Sequence, residues 1–126
     1  MAADPKRVHR RVLRFALSLP GAYEDHPWEE TVAKVGKNVF VFFGSDQSPG
    51  WPGMTVKLRE SNQAALGVPG AAPTGYGLGK AGWVSLSFNG DTAPPAGVLE
   101  DWIEESYRLV APKRLIAELD ARAVGR

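Results

Sequence analysis

The sequence predicts an α+β domain of two layers, in which helices cover one face of an antiparallel sheet. Two observations carry this prediction: helical periodicity at both ends of the chain, and alternation of apolar and polar residues in the segments between them. Because the strands have one apolar and one polar face, we expect the helices on the apolar face and the other face at least partly open. The length suits one domain, so we expect a single domain over residues 1–126.

The first predicted element is a helix over residues 5–18. Asp4 is a good N-cap, and Pro5 is tolerated in the first turn of a helix. Basic residues lie between apolar residues that recur at helical spacing, namely Val8, Val12, Phe15, Ala16 and Leu19. Leu19-Pro20-Gly21 should end this helix.

A hairpin is predicted next, in the run VAKVGKNVFVFF at residues 32–43. Gly36-Lys37-Asn38 is a turn signal between two strand-like segments. In the second segment we expect Val39, Val41 and Phe43 on one face, with Phe40 and Phe42 on the other. Since both faces are apolar, this strand should lie in the middle of the sheet.

Two further strands alternate clearly between apolar and polar residues. In GMTVKL, residues 53–58, the apolar set is Met54, Val56 and Leu58, and the opposite set is Thr55, Lys57 and the following Arg59. In WVSLSF, residues 83–88, the apolar set is Val84, Leu86 and Phe88, and the opposite set is Trp83, Ser85 and Ser87. The opposite sets of the two strands are expected on the open face.

The remaining segments predict a short helix, a loop and two terminal helices. ESNQAAL, residues 60–66, is predicted to be helical, and residues 67–82 should be mostly loop because Gly, Pro and Ala dominate them. A helix from about Ala96 carries an apolar stripe that we expect in the core, Trp102 included: Val98, Leu99, Trp102, Ile103, Ser106, Leu109 and Val110. Pro112 should break this helix, and Leu115, Ile116 and Leu119 indicate another one.

Composition excludes several classes of protein. The formal net charge of +1 lacks the basic excess of a strongly nucleic-acid-binding domain. With no cysteine, the chain has neither a disulfide framework nor a thiolate metal site. No apolar run reaches the roughly 18 residues of a membrane span, and no signal-peptide pattern follows the basic N-terminal residues. We therefore expect a cytoplasmic protein that does not act at a membrane.

Basic residues are nevertheless concentrated near the start of the chain. Residues 1–15 contain a single carboxylate, Asp4, and five basic residues: Lys6, Arg7, Arg10, Arg11 and Arg14. A basic stripe of this kind is either ordinary solvated helix surface or a patch for phosphates, and both interpretations stay open.

The run PTGYGLGKAGWVSLSF, residues 73–88, contains a glycine motif. Gly77, Gly79 and Gly82 match G-x-G-x-x-G, but the dinucleotide fingerprint needs a helix after the motif, and a strand is predicted there. The P-loop pattern fails because Thr74 stands at its first glycine and Ala81 at its magnesium ligand. We predict a tight turn that leads into a strand, and no cofactor.

The segment YEDHPWEE, residues 23–30, gathers one histidine, His26, among the carboxylates Glu24, Asp25, Glu29 and Glu30. This composition permits a metal site or an acid–base pair. The other histidine, His9, is on a helix at no defined distance, and no serine lies in a nucleophile-elbow pattern. We therefore predict a polar loop, with no metal site, no catalytic residue and no enzymatic activity.

Trp83 is the tryptophan whose position suggests binding. Its ring is expected either to stack on a base or to pack under the glycine loop, and the pattern favours neither. Lys57 and Arg59 are expected on the same face and Lys80 beside it, which together form a small basic and aromatic surface. Charged residues on the solvent side of a strand are also common without any function.

Five stretches occur in the order found in a known family. They are LPGAYEDHPW, KVGKNVFVFF, TVKL, PTGYGLGKAGWVSL and LEDWIEESYRLV, over roughly residues 10–116. In this order they resemble the MmcQ/YjbR family of small bacterial proteins. The resemblance implies a two-layer fold similar to secretion chaperones, with the order α-β-β-β-α-β-β-α. It also implies the DNA-binding role that the family label often carries, and no established reaction.

The most distinctive motif of that family is Tyr-His-x-Asn-Lys-x-His-Trp before a strand. This chain keeps Tyr76, Lys80 and Trp83, while glycines at 77, 79 and 82 replace the two histidines and the asparagine. A role that requires imidazole is therefore not expected. The aromatic and lysine side chains that remain suit binding better than proton transfer.

We expect a non-enzymatic binding module, monomeric or weakly dimeric, with DNA as the leading ligand. The DNA phosphates would contact one of two basic groups. The first is Arg7, Arg10, Arg11 and Arg14, and the second is Lys57, Arg59 and Lys80. Tyr76 and Trp83 would pack against sugar and base. One alternative is a protein- or peptide-binding module that uses the open sheet face or an edge. The other is a small-ligand site or unknown enzyme beneath the glycine loop, which would involve Tyr76, Trp83 and His26.

Overall fold

The computed structural model describes residues 4–47, 51–75, 77–89 and 93–124. The helices are α1 (Pro5–Ser18), α2 (Asn62–Leu66), α3 (Ala96–Val110) and α4 (Lys113–Val124). The strands are β1 (Ala22–Asp25), β2 (Thr31–Val35), β3 (Asn38–Gly44), β4 (Gly53–Lys57), β5 (Ala72–Pro73) and β6 (Trp83–Ser87). Short 3-10 turns lie at Pro27–Glu29 and Leu78–Ala81.

The strands form one antiparallel sheet in the order β1-β2-β3-β4-β6-β5, and α1 and α3 pack against one of its faces. The core lies between the two layers. Val12 of α1 and Ile103 of α3 are fully buried there, as are Val41, Val56 and Val84 of the central strands. The predicted α+β fold of two layers, with helices on one face, is confirmed.

Helix α1 spans the predicted residues 5–18, and it begins after the predicted N-cap. Asp4 is its N-cap, and its Oδ1 atom accepts a hydrogen bond of 3.0 Å from the backbone N–H of Lys6. Val12 and Ala16 lie on the buried side of the helix, while Arg10 and Arg14 are exposed. Burial of one apolar stripe therefore fixes which side of α1 faces solvent.

Strand β3 departs from the predicted alternation. The pairing of β2 with β3 shifts between Ala33 and Lys34, so that β3 has an extra residue, Phe40, between Val39 and Val41. A bulge of this kind turns two successive side chains to the same face. Phe40 therefore lies in the core with Val41, both fully buried, and the prediction that paired Phe40 with Phe42 is wrong.

The bulge also interrupts the ladder between β3 and β4, which pairs Val41 with Val56 and Phe42 with Thr55. Where Phe40 and Lys57 would form the next pair, the Ser106 hydroxyl of α3 lies between them. Its Oγ accepts a hydrogen bond of 3.0 Å from Lys57 N and donates one of 2.6 Å to Phe40 O. A helix side chain thus satisfies two backbone groups that the sheet leaves unpaired.

Two strands escape prediction because neither has the pattern of a half-buried strand. β1 lies in AYED, where the composition indicates a polar loop, and β5 is the dipeptide Ala72-Pro73 inside the predicted loop 67–82. Both are edge strands, where polar residues and proline are tolerated because one side of the strand makes no ladder hydrogen bonds.

The C-terminal helices follow the prediction with two changes to the core: Leu109 of the predicted stripe is only partly buried and lies outside it, and Tyr107 is added to it. Pro112 separates α3 from α4, and Trp102 is 8% exposed. Tyr107, which is not part of the predicted apolar stripe, is fully buried, and its hydroxyl donates a hydrogen bond of 2.6 Å to Pro20 O. This bond ties α3 to the turn that follows α1. Among the described residues, no helix combines the length and the apolar character that crossing a membrane requires.

Candidate functional site

Three cations meet in one cleft at the end of strand β4. Lys57 is the last residue of β4, Arg59 follows two residues later, and Lys80 lies in the 3-10 turn Leu78–Ala81. All three line a cleft of about 500 Å³, together with Asn62 and Gln63 of α2. We call this group the basic cleft. Within the described parts of the chain, none of its three cations forms an ion pair.

Hydrogen bonds around Glu105 hold the loop that carries Arg59. The Glu105 carboxylate accepts from the backbone N–H groups of Arg59 (2.8 Å) and Ser61 (3.2 Å) and from the Ser61 hydroxyl (2.6 Å). Partial burial acts to raise the pKa of Glu105, but the hydrogen bonds from Ser61, Arg59 and the Glu60 backbone outweigh it, so the pKa is lowered. The loop is therefore fastened to α3 by an ionised carboxylate.

The glycine loop forms the opposite wall of the basic cleft, and β6 follows it directly, as predicted. Leu58 N donates to Gly82 O at 2.9 Å, and Asn62 Nδ2 bridges the carbonyls of Leu58 (3.3 Å) and Gly82 (3.2 Å). Gly82 has φ +100°, and a Cβ there would lie 2.6 Å from Leu58 O. Glycine is required because two backbone segments meet at this point.

Trp83 lies on the open face, beside the basic cleft. It is the direct cross-strand partner of Lys57, and its ring makes an edge contact with Phe42 at 5.3 Å between centroids. The alternation predicted for β6 is confirmed, since Val84, Leu86 and Phe88 are buried while Trp83 is only partly so. Its ring therefore packs on a neighbouring aromatic of the sheet and keeps part of its surface in solvent.

The other predicted residues are placed as follows. Tyr76 lies outside the described residues. Arg59 lies beyond the end of β4, so strand alternation does not determine its side. It lies near Lys57 because both residues line the basic cleft. It also lines a second depression with the acidic residues Asp101, Glu104 and Glu105 of α3.

The N-terminal arginines form a separate group in the helix layer. Arg7, Arg10 and Arg14 are exposed along α1, and no ion pair involving them is found in the described residues. Arg11 is paired with Glu100 of α3 through two contacts of 3.2 Å, and the hydrogen bond to Glu100 raises its pKa. Since α1 covers one face of the sheet and Lys57 lies on the other, the sheet separates Lys57 from the arginines of α1.

The segment 23–30 contains a short histidine–carboxylate contact and an ion pair between a lysine and an aspartate. His26 Nε2 lies 2.6 Å from Glu24 Oε2, and Lys34 Nζ lies 3.3 Å from Asp25 Oδ2. The described residues contain no group of three potential metal ligands. The other histidine, His9, lies against Phe43 and Trp51 at centroid distances of 5.4 and 5.5 Å, far along the chain from His26.

One feature of the open face was not predicted. A depression of about 420 Å³, which we call the hydroxyl hollow, is lined by Phe42, Thr55, Thr74, Ser85, Ser87 and Glu30, among others. Alternation placed Thr55 and Ser85 on the open face. Thr74 joins them because β5 pairs with β6, and β5 was not predicted.

The hydroxyl hollow and the basic cleft belong to a small α+β domain in which hydroxyl groups line part of the open sheet face and three cations meet at the end of β4. A sequence model of the YjbR family matches residues 17–109, which is most of the chain. The chain belongs to the YjbR family. No curated protein shows significant sequence similarity to it.

Proposed function

We propose that this YjbR-family chain is a non-enzymatic, cytoplasmic DNA-binding module that contacts phosphates through the basic cleft. The observation that carries this proposal is the meeting of Lys57, Arg59 and Lys80 around one depression, with no ion pair to any of them in the described residues. Cations that converge on one depression repel one another, and a phosphate relieves that repulsion. Trp83 adds an aromatic surface beside them for sugar or base.

The small net charge limits this binding to a local surface. With +1 overall, the chain has no general attraction for polyanions, so affinity must come from the few cations that converge. With three phosphate contacts, the binding constant falls with salt at a log–log slope of about −2.7 for duplex DNA and about −2.1 for a single strand.

Peptide binding is the second candidate function, favoured by the edge of the sheet at β1. This strand ends the sheet, and the turn after it presents Trp28, whose side chain is 94% exposed. An extended segment of another protein can add to such an edge through backbone hydrogen bonds. Binding of this kind depends little on salt, which separates it from phosphate contacts.

The test is a fluorescence anisotropy titration of a short labelled DNA, as a duplex and as a single strand, at two salt concentrations. We expect binding at low salt and, between about 50 and 200 mM salt, a loss in affinity of roughly 40-fold for the duplex and roughly 20-fold for the single strand. Absence of binding by either form at low salt would remove the proposal.

A Trp83→Ala variant tests the aromatic part of the surface. If the ring contacts DNA, affinity falls while the salt slope stays the same, because the phosphate contacts are intact. A variant that is less stable but binds DNA as well as the parent would restrict Trp83 to its packing with Phe42.

A further inference from the structure

The hydroxyl hollow has a polar floor that is only partly used by the protein. Three hydroxyl groups form a chain across it, with 2.9 Å between Thr55 Oγ1 and Ser85 Oγ and 2.9 Å between Ser85 Oγ and Thr74 Oγ1. Three hydroxyls offer three donors and six lone pairs, and the two internal bonds use two of each. One O–H donor and several acceptors therefore remain for a ligand.

The charge of the hollow selects against phosphate and for a neutral group. Among the described residues that line it, Glu30 is the ionisable one, and a carboxylate repels phosphate but accepts hydrogen bonds from amino groups. Phe42 supplies an apolar ring at the same site. A volume of about 420 Å³ is within the usual range for small-molecule sites. These properties fit a planar, uncharged group with an exocyclic amine, which describes most nucleobases.

The hydroxyl hollow and the basic cleft involve neighbouring positions of β4 and β6, although no described residue lines both. On the open face, the pair Thr55 and Ser85 is followed two residues later by the pair Lys57 and Trp83. Two residues of a strand span about 7 Å, so the hydroxyls and the cations are separated by roughly the size of one nucleotide. A ligand that occupies both sites would place a phosphate in the basic cleft and a planar polar group in the hydroxyl hollow.

A base pair in duplex DNA cannot occupy such a hollow. Its hydrogen-bonding edges are reached only through the grooves, which admit a protruding helix or ribbon and not a concave sheet face. Unpaired bases can be turned outward and placed on a sheet. We propose that the hydroxyl hollow binds an unpaired base, so that the ligand of this chain is single-stranded nucleic acid; this inference rests on the phosphate-binding function proposed above.

Three labelled probes of equal length test the inference on the full chain at one low salt concentration: a single strand of mixed sequence, the matching duplex, and a single strand in which the bases are replaced by abasic sites. A cleft that reads phosphates alone prefers the duplex, because its charge density is higher. If the hollow binds a base, the intact single strand binds most tightly, and removal of the bases weakens binding roughly tenfold.

Two variants separate the two sites. Thr55→Val removes one hydroxyl at nearly constant shape, and we expect it to weaken the intact single strand but not the abasic strand. Lys80→Gln removes a cation of the basic cleft and should weaken all three probes by the same factor. Thermal unfolding of each variant confirms that it is folded.

Each remaining outcome is decisive. Equal affinity for the intact and abasic strands, or preference for the duplex, overturns the inference and leaves the phosphate-binding function standing. Absence of binding by all three probes overturns the phosphate-binding function, and this inference with it.

Discussion

Ser106 and Lys57 connect the core of the domain to its basic cleft. The hydroxyl of Ser106, which is fully buried on α3, accepts a hydrogen bond of 3.0 Å from the backbone N–H of Lys57. The same hydroxyl donates to Phe40 O at 2.6 Å. The backbone of a cleft residue is therefore positioned by a helix side chain that also repairs the bulge of β3.

Ser106→Ala should destabilise the domain by about 2 kcal/mol or more. Alanine keeps the helix but leaves Lys57 N–H and Phe40 C=O without their partner, and each unsatisfied buried group costs about 1–3 kcal/mol. Urea unfolding at neutral pH measures the change in the free energy of unfolding.

Ser18→Ala is the matched control, because the Ser18 hydroxyl also makes a 2.6 Å bond to a backbone carbonyl, that of Phe15, but is exposed. We expect a change within about 0.5 kcal/mol there. Equal effects of the two substitutions would show that the Ser106 bridge contributes no more than a surface hydroxyl.

Two glycines of the same loop should respond differently to alanine. Gly82 has φ +100°, and a Cβ would lie 2.6 Å from Leu58 O, whereas Gly77 has φ +78°, and a Cβ there would meet no atom of the described residues within 4 Å. Gly77→Ala therefore adds only left-handed strain, about 1 kcal/mol, while Gly82→Ala adds a backbone clash as well and should cost about 3 kcal/mol or more. Comparable unfolding midpoints for the two variants would contradict the close approach of Leu58 and Gly82.

The sequence predicted the elements whose periodicity is imposed by burial of one face. Val12 and Ala16 on α1, and Val84 and Leu86 on β6, are buried as expected because a one-sided core requires that spacing. Phe40 was misplaced because a bulge is one extra residue in a pairing register, which depends on the partner strand.

The candidate site was predictable only in part for a similar reason. Alternation placed Lys57 and Trp83 on one face, and they are cross-strand neighbours. The hollow beside them needs Thr74, which β5 brings to Ser85, and a two-residue edge strand has no periodicity to detect. Ser106 fitted the apolar stripe of α3 by spacing alone, and its two hydrogen bonds depend on contacts distant in sequence.

Acidification should destabilise the domain through His9. The pKa of His9 is lowered from 6.5, first by burial and then by the positive charge of Arg10. Its Nδ1 atom is buried without a hydrogen-bond partner in the described structure, so a proton there would be an unsatisfied donor. The unfolded chain binds this proton near pH 6.5 and the folded chain only at lower pH. The contribution of neutral His9 to the free energy of unfolding is therefore fully present above pH 6.5, and it is lost as the pH falls below that value.

The His9 effect is measured by urea unfolding of the parent and of His9→Gln at a series of pH values between about 7.5 and 5.5, above the range in which carboxylates titrate. The parent should lose stability across this interval, and the variant should lose much less. A variant with the same pH dependence as the parent would assign the effect to other groups.

Lys80→Gln should reduce the salt slope of DNA binding by about one, because one phosphate contact is lost. Lys113→Gln is the matched control, since Lys113 is an exposed lysine at the start of α4. Arg10→Gln and Arg14→Gln test the rival group on α1, and we expect the slope to be unchanged in both. Loss of slope in the α1 variants with none in Lys80→Gln would move the phosphate site to the helix layer.

Trp28 is held in a left-handed backbone conformation, at φ 51° and ψ 39°, although its side chain is 94% exposed. The exposed indole contributes little to folding, so Trp28→Ala should change stability by less than about 0.5 kcal/mol. Trp28→Gly should be more stable than Trp28→Ala by about 1 kcal/mol, because glycine adopts positive φ without steric cost. Ala117→Gly, at an exposed position within α4, is the opposite case and should lose about 1 kcal/mol. If glycine destabilises both sites equally, residue 28 does not have positive φ in solution.

If the expected signs are found, the strain at Trp28 is maintained at a cost to stability, which is typical of residues kept for contact with a partner.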